Sequence, residues 1–181
     1  MTTDLIPTRN TWTLYAHFLG NSDSYLTSYV KLCDVASLQD FGRMWNHTHP
    51  RLVGDPTRAV HIQGRRVTSW SLFKDGISPE WEHPSNEHGI TYSLRTTMNC
   101  DDVYTLWETL VANCTLSLHP NDLNGVQVYR KSATVRPRES GLLVKFDLWF
   151  ASSASCDDIG EWLSRSLPNY LFTHAPRASR R

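Results

Sequence analysis

The stretch Ser71–Glu82 contains the residues best suited to bind a ligand, because it sets a tryptophan directly before a carboxylate. Trp81 offers an aromatic face, Glu82 offers two anionic oxygens, and Pro79 stiffens the chain just before the indole. An aromatic face attracts a cation, and a carboxylate accepts hydrogen bonds from two neighbouring donors. This pair therefore suits a flat, cationic ring that donates hydrogen bonds along one edge.

The same stretch resembles the central signature of the eukaryotic translation initiation factor 4E family, whose members bind the 5′ cap of mRNA. The resemblance consists of the consecutive residues Ser71 to Ile77, followed by Pro79, Trp81 and Glu82 at matching spacing. It implies that Trp81 stacks on 7-methylguanine and that Glu82 accepts hydrogen bonds from the N1 and N2 donors, which adenine lacks. The alternative is a loop tryptophan folded onto the core beside a solvated carboxylate.

The resemblance also implies a second aromatic ring that stacks on the other face of the base, a phosphate-binding lysine and a tryptophan beside the N7-methyl group. Tyr25 stands where the family has a tryptophan, so its face is smaller; the alternative is a plain surface tyrosine. Lys145 and Trp149 match the family's Lys-x-x-x-Trp. Alternation along 142–150 separately places both on the open face of a sheet, opposite the apolar residues. Trp149 as a core residue is the alternative.

The remaining phosphate ligand is ambiguous. The family has an arginine six residues after the glycine that opens the strand, and this register gives Lys131 here, while Arg130 would face the helices unless the strand bulges. Lysine lacks the fork with which arginine binds phosphate at two points, so this departure weakens the contact. Arg136 and Arg138, on the following hairpin, are further candidates for phosphate or RNA contacts, with a solvated basic turn as the alternative.

Composition limits the class of protein. The chain has 181 residues, 40% of them hydrophobic, and a formal net charge of zero, so we expect one domain over 1–181 and only local contacts with RNA. The short N-terminus, to about residue 8, is expected to be flexible, and residues from about 176 to 181 form a small basic tail. Four cysteines lack metal-ligand spacing, and no membrane span or leader pattern is visible. We expect a cytoplasmic monomer with no cofactor and no metal.

The predicted elements are those that must position these residues. Strands are predicted at 11–18, 29–33, 67–73, 90–94, 126–131 and 142–150, and helices at 37–47, 101–113 and 157–167, with a long loop at 49–67. Ser37-x-x-Asp40 and Ser155-x-x-Asp158 resemble capping boxes at two helix starts. The expected fold is α+β: one curved, largely antiparallel sheet, with the three helices on its convex face and a ligand cleft on its concave face.

The convex face is where the family resemblance implies a protein partner, a scaffold initiation factor of the 4G type or a 4E-binding protein. The matching positions are Pro7, Leu38, Gly42, Trp107, Glu108 and Val111. Gly42 replaces an anchoring tryptophan, and Trp107 replaces a leucine, so we expect Trp107 to supply an altered anchor. The alternative is that Trp107 packs beside Leu110 and that the surface is unused.

Three functions compete at this point. The leading one is a cap-binding protein of translation initiation or its regulation, and the second is a protein-protein adaptor of the same fold with weak or lost cap binding. The third is an enzyme acting on capped RNA. It is disfavoured because the sequence shows no paired catalytic carboxylates, no nucleophile grouped with a base and no P-loop.

Overall fold

The computed structural model describes residues 4–18, 28–48, 60–130 and 141–176, which form an open, curved antiparallel sheet with helices on its convex face. The strands are β1 (Pro7–Phe18), β2 (Tyr29–Ser37), β3 (His61–Ile62), β4 (Arg65–Lys74), β5 (Ile90–Met98), β6 (Leu123–Arg130), β7 (Leu142–Phe150) and β8 (Thr173–Pro176). The helices are α1 (Leu38–His47), α2 (Cys100–Thr115) and α3 (Cys156–Ser166). The order across the sheet is β2-β1-β4-β6-β7-β5-β8, and β3 pairs with β4. The predicted fold class is confirmed.

The core lies between the convex face of the sheet and the helices. Trp12, Leu14 and Ala16 of β1 are at most 3% exposed, as their alternation predicts. From the helices, α2 contributes the broadest buried surface, and Trp162 of α3 is buried beside Phe150 of β7. This packing leaves the concave face as the side of the sheet that no helix covers.

Each helix begins at a side chain that accepts a hydrogen bond from the first turn. Ser37 Oγ accepts from the N–H of Asp40 at 3.1 Å, and Ser155 Oγ accepts from the N–H of Asp158 at 3.3 Å. These two caps confirm the sequence prediction, because each satisfies an amide that the helix itself leaves unpaired. Asn99 caps α2 in the same way, with 2.8 Å from its Oδ1 to the N–H of Asp102.

Several predicted boundaries need correction. The strand predicted at 90–94 extends to Met98, and the strand predicted at 29–33 extends to Ser37. The end of the predicted 49–67 loop is a hairpin, β3 to β4, closed by Gln63 and Gly64, whose φ angles are 52° and 72°. That hairpin was missed because β3 has only two residues and both of their partners in β4 are arginines, although positive φ at both central positions is typical of such turns. Residues 49–59 lie outside the described residues.

No helix in the described ranges is long and apolar enough to cross a membrane.

Candidate functional site

Trp81 and Glu82 lie on the connection between β4 and β5, residues 75–89, called here the Trp81 loop. The loop leaves β4 through a turn in which Gly76 has a φ of 80° and the N–H of Ile77 donates to the carbonyl of Lys74 at 3.0 Å. Only glycine adopts that φ without strain. The Trp81 side chain is half-buried and Glu82 is exposed, so both remain accessible to a ligand.

Asn86 holds the Trp81 loop in shape. Its side chain is fully buried, and its Nδ2 donates to the carbonyls of Ser78 at 3.0 Å and Glu80 at 2.7 Å. Asn124 of β6 donates to Asn86 Oδ1 at 3.2 Å and to the carbonyl of Ser85 at 2.6 Å. The loop is therefore tied to the sheet on both sides of Trp81. Sequence reasoning missed both asparagines, because nothing in their type or spacing indicates that they hold the loop.

Glu80 is a second carboxylate next to Trp81 that the sequence analysis did not assign. The hydroxyl of Tyr29 on β2 donates to Glu80 Oε1 at 2.8 Å, and Ser78 Oγ donates to Oε2 at 3.2 Å. Burial, with the nearby Glu80 carboxylate, raises the pKa of Tyr29 well above its ordinary value. Tyr29 also contacts Tyr15 edge-on, with ring centroids 5.5 Å apart. These contacts connect the Trp81 loop to the edge of the sheet.

Strand register places the predicted phosphate-side residues on the concave face. Lys145 of β7 lies opposite Tyr129 of β6 on one side and opposite Arg95 of β5 on the other. Two residues further along β7, Asp147 lies between Gln127 of β6 and Ser93 of β5. Trp149 is the next residue of β7 on the same face. The prediction from alternation that Lys145 and Trp149 share a face is confirmed; their roles toward a ligand stay predictions.

Lys145 is paired with a buried carboxylate. Its Nζ lies 2.7 Å from Asp147 Oδ2, and Asp147 is 3% exposed and also accepts from Ser93 Oγ at 2.5 Å. The same Nζ lies 5.5 Å from the centroid of the Tyr129 ring. The charge of Lys145 is therefore compensated within the protein, which the sequence analysis did not anticipate.

Arg95 is a concave-face cation that sequence reasoning missed. Its side chain is exposed and lies next to Lys145 in the register of β5 and β7. The available signal was the same alternation that placed Lys145, but the predicted strand ended at residue 94, just before Arg95, whereas β5 extends to Met98. Among the described residues, no carboxylate lies within ion-pair distance of the Arg95 guanidinium.

Trp149 is on the predicted face but is covered. It is 6% exposed, and its ring packs edge-on against Phe73 of β4, with centroids 5.2 Å apart. Phe73 in turn lies over Gly125, where an added Cβ would come within 2.5 Å of the Phe73 ring. The expectation that Trp149 is open is therefore corrected: its ring supports the floor of the concave face. Its contact with a ligand methyl group stays a prediction.

Between the Trp81 loop and Lys145, the floor of the concave face is neutral and polar. His17 of β1 is 6% exposed and hydrogen-bonds through Nε2 to Ser71 Oγ at 2.7 Å. Burial lowers the pKa of His17 to about 4, so the ring is neutral at neutral pH. Gln127 accepts from the Tyr129 hydroxyl at 2.6 Å and donates to Ser69 Oγ at 3.3 Å. Such a floor presents dipoles, without net charge, to a bound ligand.

Four predicted site residues, Tyr25, Lys131, Arg136 and Arg138, lie outside the described residues. Arg130 is described and half-buried, and it pairs in register with Val144, whose side chain is fully buried in the core. Arg130 thus lies on the helix side of β6, as alternation predicted. The described ranges contain no group of three or more His, Cys, Asp or Glu side chains arranged to hold a metal ion.

The convex face differs from its prediction at α2. Trp107 is 2% exposed and Val111 is fully buried, so Trp107 is a core residue and the expectation that it forms a surface anchor is wrong. The reason is the wide buried arc of α2, which places Trp107 between Val103 and Val111 on the inner side of the helix. Pro7 is exposed, Leu38 and Glu108 are half-buried, and Gly42 faces open space. Nearby, Trp45 Nε1 donates to the Tyr104 hydroxyl at 3.0 Å, joining α1 to α2.

Comparison with known proteins supports one family. A family model described as eukaryotic initiation factor 4E matches residues 7–174. Eukaryotic translation initiation factor 4E of Dictyostelium discoideum is 31% identical over 86 residues, which is 46% of this chain and 30% of that protein's length. This chain thus matches less than a third of that relative.

Solved structures agree on the fold. Schistosome eIF4E complexed with m7GpppA and 4E-BP gives a TM-score of 0.72 at 20% identity, covering 96% of this chain and 89% of that one. Ascaris suum eIF4E-3 with an m2,2,7G cap gives a TM-score of 0.71 at 18% identity, covering 98% and 94%. Because the family model extends from β1 to β8, the chain belongs to the eukaryotic initiation factor 4E family.

Proposed function

We propose that this chain is a single cap-binding domain that holds the 7-methylguanosine 5′ cap of mRNA in the cytoplasm and acts in translation initiation or its regulation. The observation that carries the proposal is that Trp81 and Glu82 lie on a loop that Asn86 holds in shape and that the Tyr29 hydroxyl joins to β2 through Glu80. The schistosome and Ascaris structures hold cap analogues, which supports the same ligand class here.

Binding follows from the chemistry of the cap. Trp81 stacks on the positively charged 7-methylguanine, with Tyr25 as the second aromatic ring, and Glu82 accepts from the N1 and N2 donors. Stacking contributes about 1 to 3 kcal/mol per base, and a desolvated cation-π contact adds about 2 kcal/mol. Lys145 and Lys131 contact the phosphates, with further contributions from Arg136 and Arg138. Arg130, on the helix side of β6, does not face them. This is recognition by a binding protein, and no chemical step on the cap is required.

The protein partner in this proposal is a scaffold factor of the 4G type or a 4E-binding protein, docked as a helical peptide on the convex face. Pro7, Leu38 and Glu108 remain accessible for it. Trp107 is not part of that surface, and the missing aromatic at Gly42 leaves open space for a partner side chain. The 4E-BP in the schistosome complex supports this class of partner.

A second candidate, an adaptor with weak cap binding, is favoured by one specific observation. Lys145, the described phosphate-side lysine, is already paired with Asp147 at 2.7 Å, and Trp149 is covered. Both features reduce the number of contacts that the concave face can make with the cap. This candidate keeps the convex-face partner and assigns the concave face a minor role.

Fluorescence titration with 7-methyl-GTP beside unmethylated GTP separates the two candidates. We expect saturable quenching by the methylated ligand only, and a loss of affinity of at least about 100-fold in Trp81→Ala, because that variant removes both the stacking and the cation-π contributions. Glu82→Gln keeps the shape and should lose about tenfold or more. Trp45→Phe, on the convex face, is the matched control and should bind normally. A folded wild type that neither ligand quenches would favour the adaptor.

A further inference from the structure

The buried carboxylate of Asp147 lies beside Lys145, the described lysine proposed to contact the cap phosphates. Both of its oxygens are engaged, Oδ2 by Lys145 Nζ at 2.7 Å and Oδ1 by Ser93 Oγ at 2.5 Å. The Lys145 side chain is 28% exposed, and the Asp147 side chain is 4% exposed. The lysine thus reaches the surface, yet its ammonium points to a carboxylate in the floor of the same face.

This arrangement changes the electrostatics of the phosphate side. A charged side chain in a partly desolvated pocket attracts an anion according to the net charge that the anion meets. The Lys145 and Asp147 pair has a net charge of zero, and Glu80 and Glu82 add negative charge at the Trp81 loop. Among the described residues, Arg95 of β5 is the cation that lies next to Lys145 in the strand register and makes no ion pair.

We propose that Asp147 is a specificity-determining residue that limits how strongly the pocket reads the phosphate chain. A cap phosphate must compete with the Asp147 carboxylate for the Lys145 ammonium, so the methylated base supplies most of the affinity and the number of phosphates supplies little. This inference rests on the proposed cap binding. It assigns a role to a residue that does not itself touch the base, and it predicts an increase of affinity on mutation.

The test is the affinity of wild type and Asp147→Asn for 7-methylguanosine and its 5′-monophosphate and 5′-triphosphate, measured by isothermal titration calorimetry. Asparagine keeps the size of the side chain and still accepts from Ser93 Oγ, while the charge is removed. We expect the triphosphate-to-nucleoside affinity ratio to rise at least about fivefold, the gain from one unit charge about 4 Å from a phosphate charge in bulk water, and more in a desolvated pocket. Nucleoside affinity should be unchanged.

Two variants control for indirect effects. Ser93→Ala removes the other hydrogen bond to Asp147 without changing charge, and the ratio should stay within about twofold of wild type. Adding Lys145→Gln to Asp147→Asn should cancel the gain, because the freed ammonium is then absent. Wild type alone also tests the inference. Its triphosphate-to-nucleoside affinity ratio should be small. Its triphosphate affinity should fall less steeply with salt concentration than that of Asp147→Asn.

The outcomes separate this inference from the proposed function. An unchanged or lower ratio in Asp147→Asn, with nucleoside binding intact, overturns the inference alone and means that Asp147 orients Lys145 for the phosphate. If Asp147→Asn does not fold, a wild-type ratio of about 100 or more with a steep salt slope overturns it equally. Absence of binding by all three ligands to both proteins refutes cap binding, and this inference with it.

Discussion

Replacing Asn86 should weaken the protein and the Trp81 loop together. The side chain is fully buried and makes three hydrogen bonds, two donated to the carbonyls of Ser78 and Glu80 and one accepted from Asn124. Each intramolecular hydrogen bond is worth about 0.5 to 1.5 kcal/mol, and groups left buried without partners cost more. We therefore expect Asn86→Ala to lower the free energy of unfolding by about 2 to 4 kcal/mol, out of the 5 to 15 kcal/mol typical of a folded domain.

The assay is equilibrium denaturation in urea, with Asn86→Asp as the second variant. Aspartate has the same shape and can accept from Asn124, but it faces the two carbonyls with oxygens in place of donors. It should therefore be at least as destabilising as alanine. Asn46→Ala, at an exposed position of α1, is the matched control and should change stability by less than about 0.5 kcal/mol.

The same variants test whether loop shape matters for the proposed ligand. Under conditions where Asn86→Ala remains folded, its affinity for 7-methyl-GTP should fall, because Trp81 and Glu82 are no longer held in one arrangement. A loss of stability below about 1 kcal/mol together with unchanged affinity would refute the idea that Asn86 determines the loop conformation.

Two further predictions concern the floor of the concave face. Gly125→Ala should destabilise the protein by about 1 to 3 kcal/mol in a thermal or urea melt, since its Cβ would meet the Phe73 ring at 2.5 Å; unchanged stability would mean that the ring moves aside at no cost. Burial lowers the pKa of His17 to about 4, below its ordinary value of about 6.5, so the unfolded chain binds the proton more readily. The His17 contribution to stability is thus fully present above about pH 6.5 and is lost as pH falls toward 4, by up to about 3 kcal/mol, and His17→Gln should flatten the urea-melt stability profile across that window.

Period-2 alternation was enough to predict the concave-face positions of Lys145 and Trp149, because one face of β7 is fully apolar and fixes the register. It placed Asp147 on that face as well, but not its pairing with Lys145, since pairing depends on which rotamers the neighbouring strands allow. Alternation also could not show that Trp149 is covered, because the covering ring, Phe73, comes from a strand much earlier in the chain.

Other features depend on contacts between distant residues. Asn86 and Asn124 are 38 positions apart, and nothing local in the sequence connects them. By contrast, Trp107 was misjudged despite a clear signal: the apolar stripe of α2, from Val103 to Val111, already included it. The stripe describes burial in this chain, whereas the expected anchor came from a family position whose residue had changed.

The two sides of the proposed pocket have separate origins in the chain. Two side chains that would read the base, Trp81 and Glu82, lie on one continuous segment, the Trp81 loop, whereas Tyr129, Lys145 and Arg95 come from three strands brought together only by pairing. Substitutions of Trp81 or Glu82 should therefore combine additively with substitutions of Lys145 or Arg95, since the two sets lie on different elements and are joined by no hydrogen bond or ion pair among the described residues. Base selectivity and phosphate affinity are thus independently adjustable properties, which a natural or engineered variant can change one at a time.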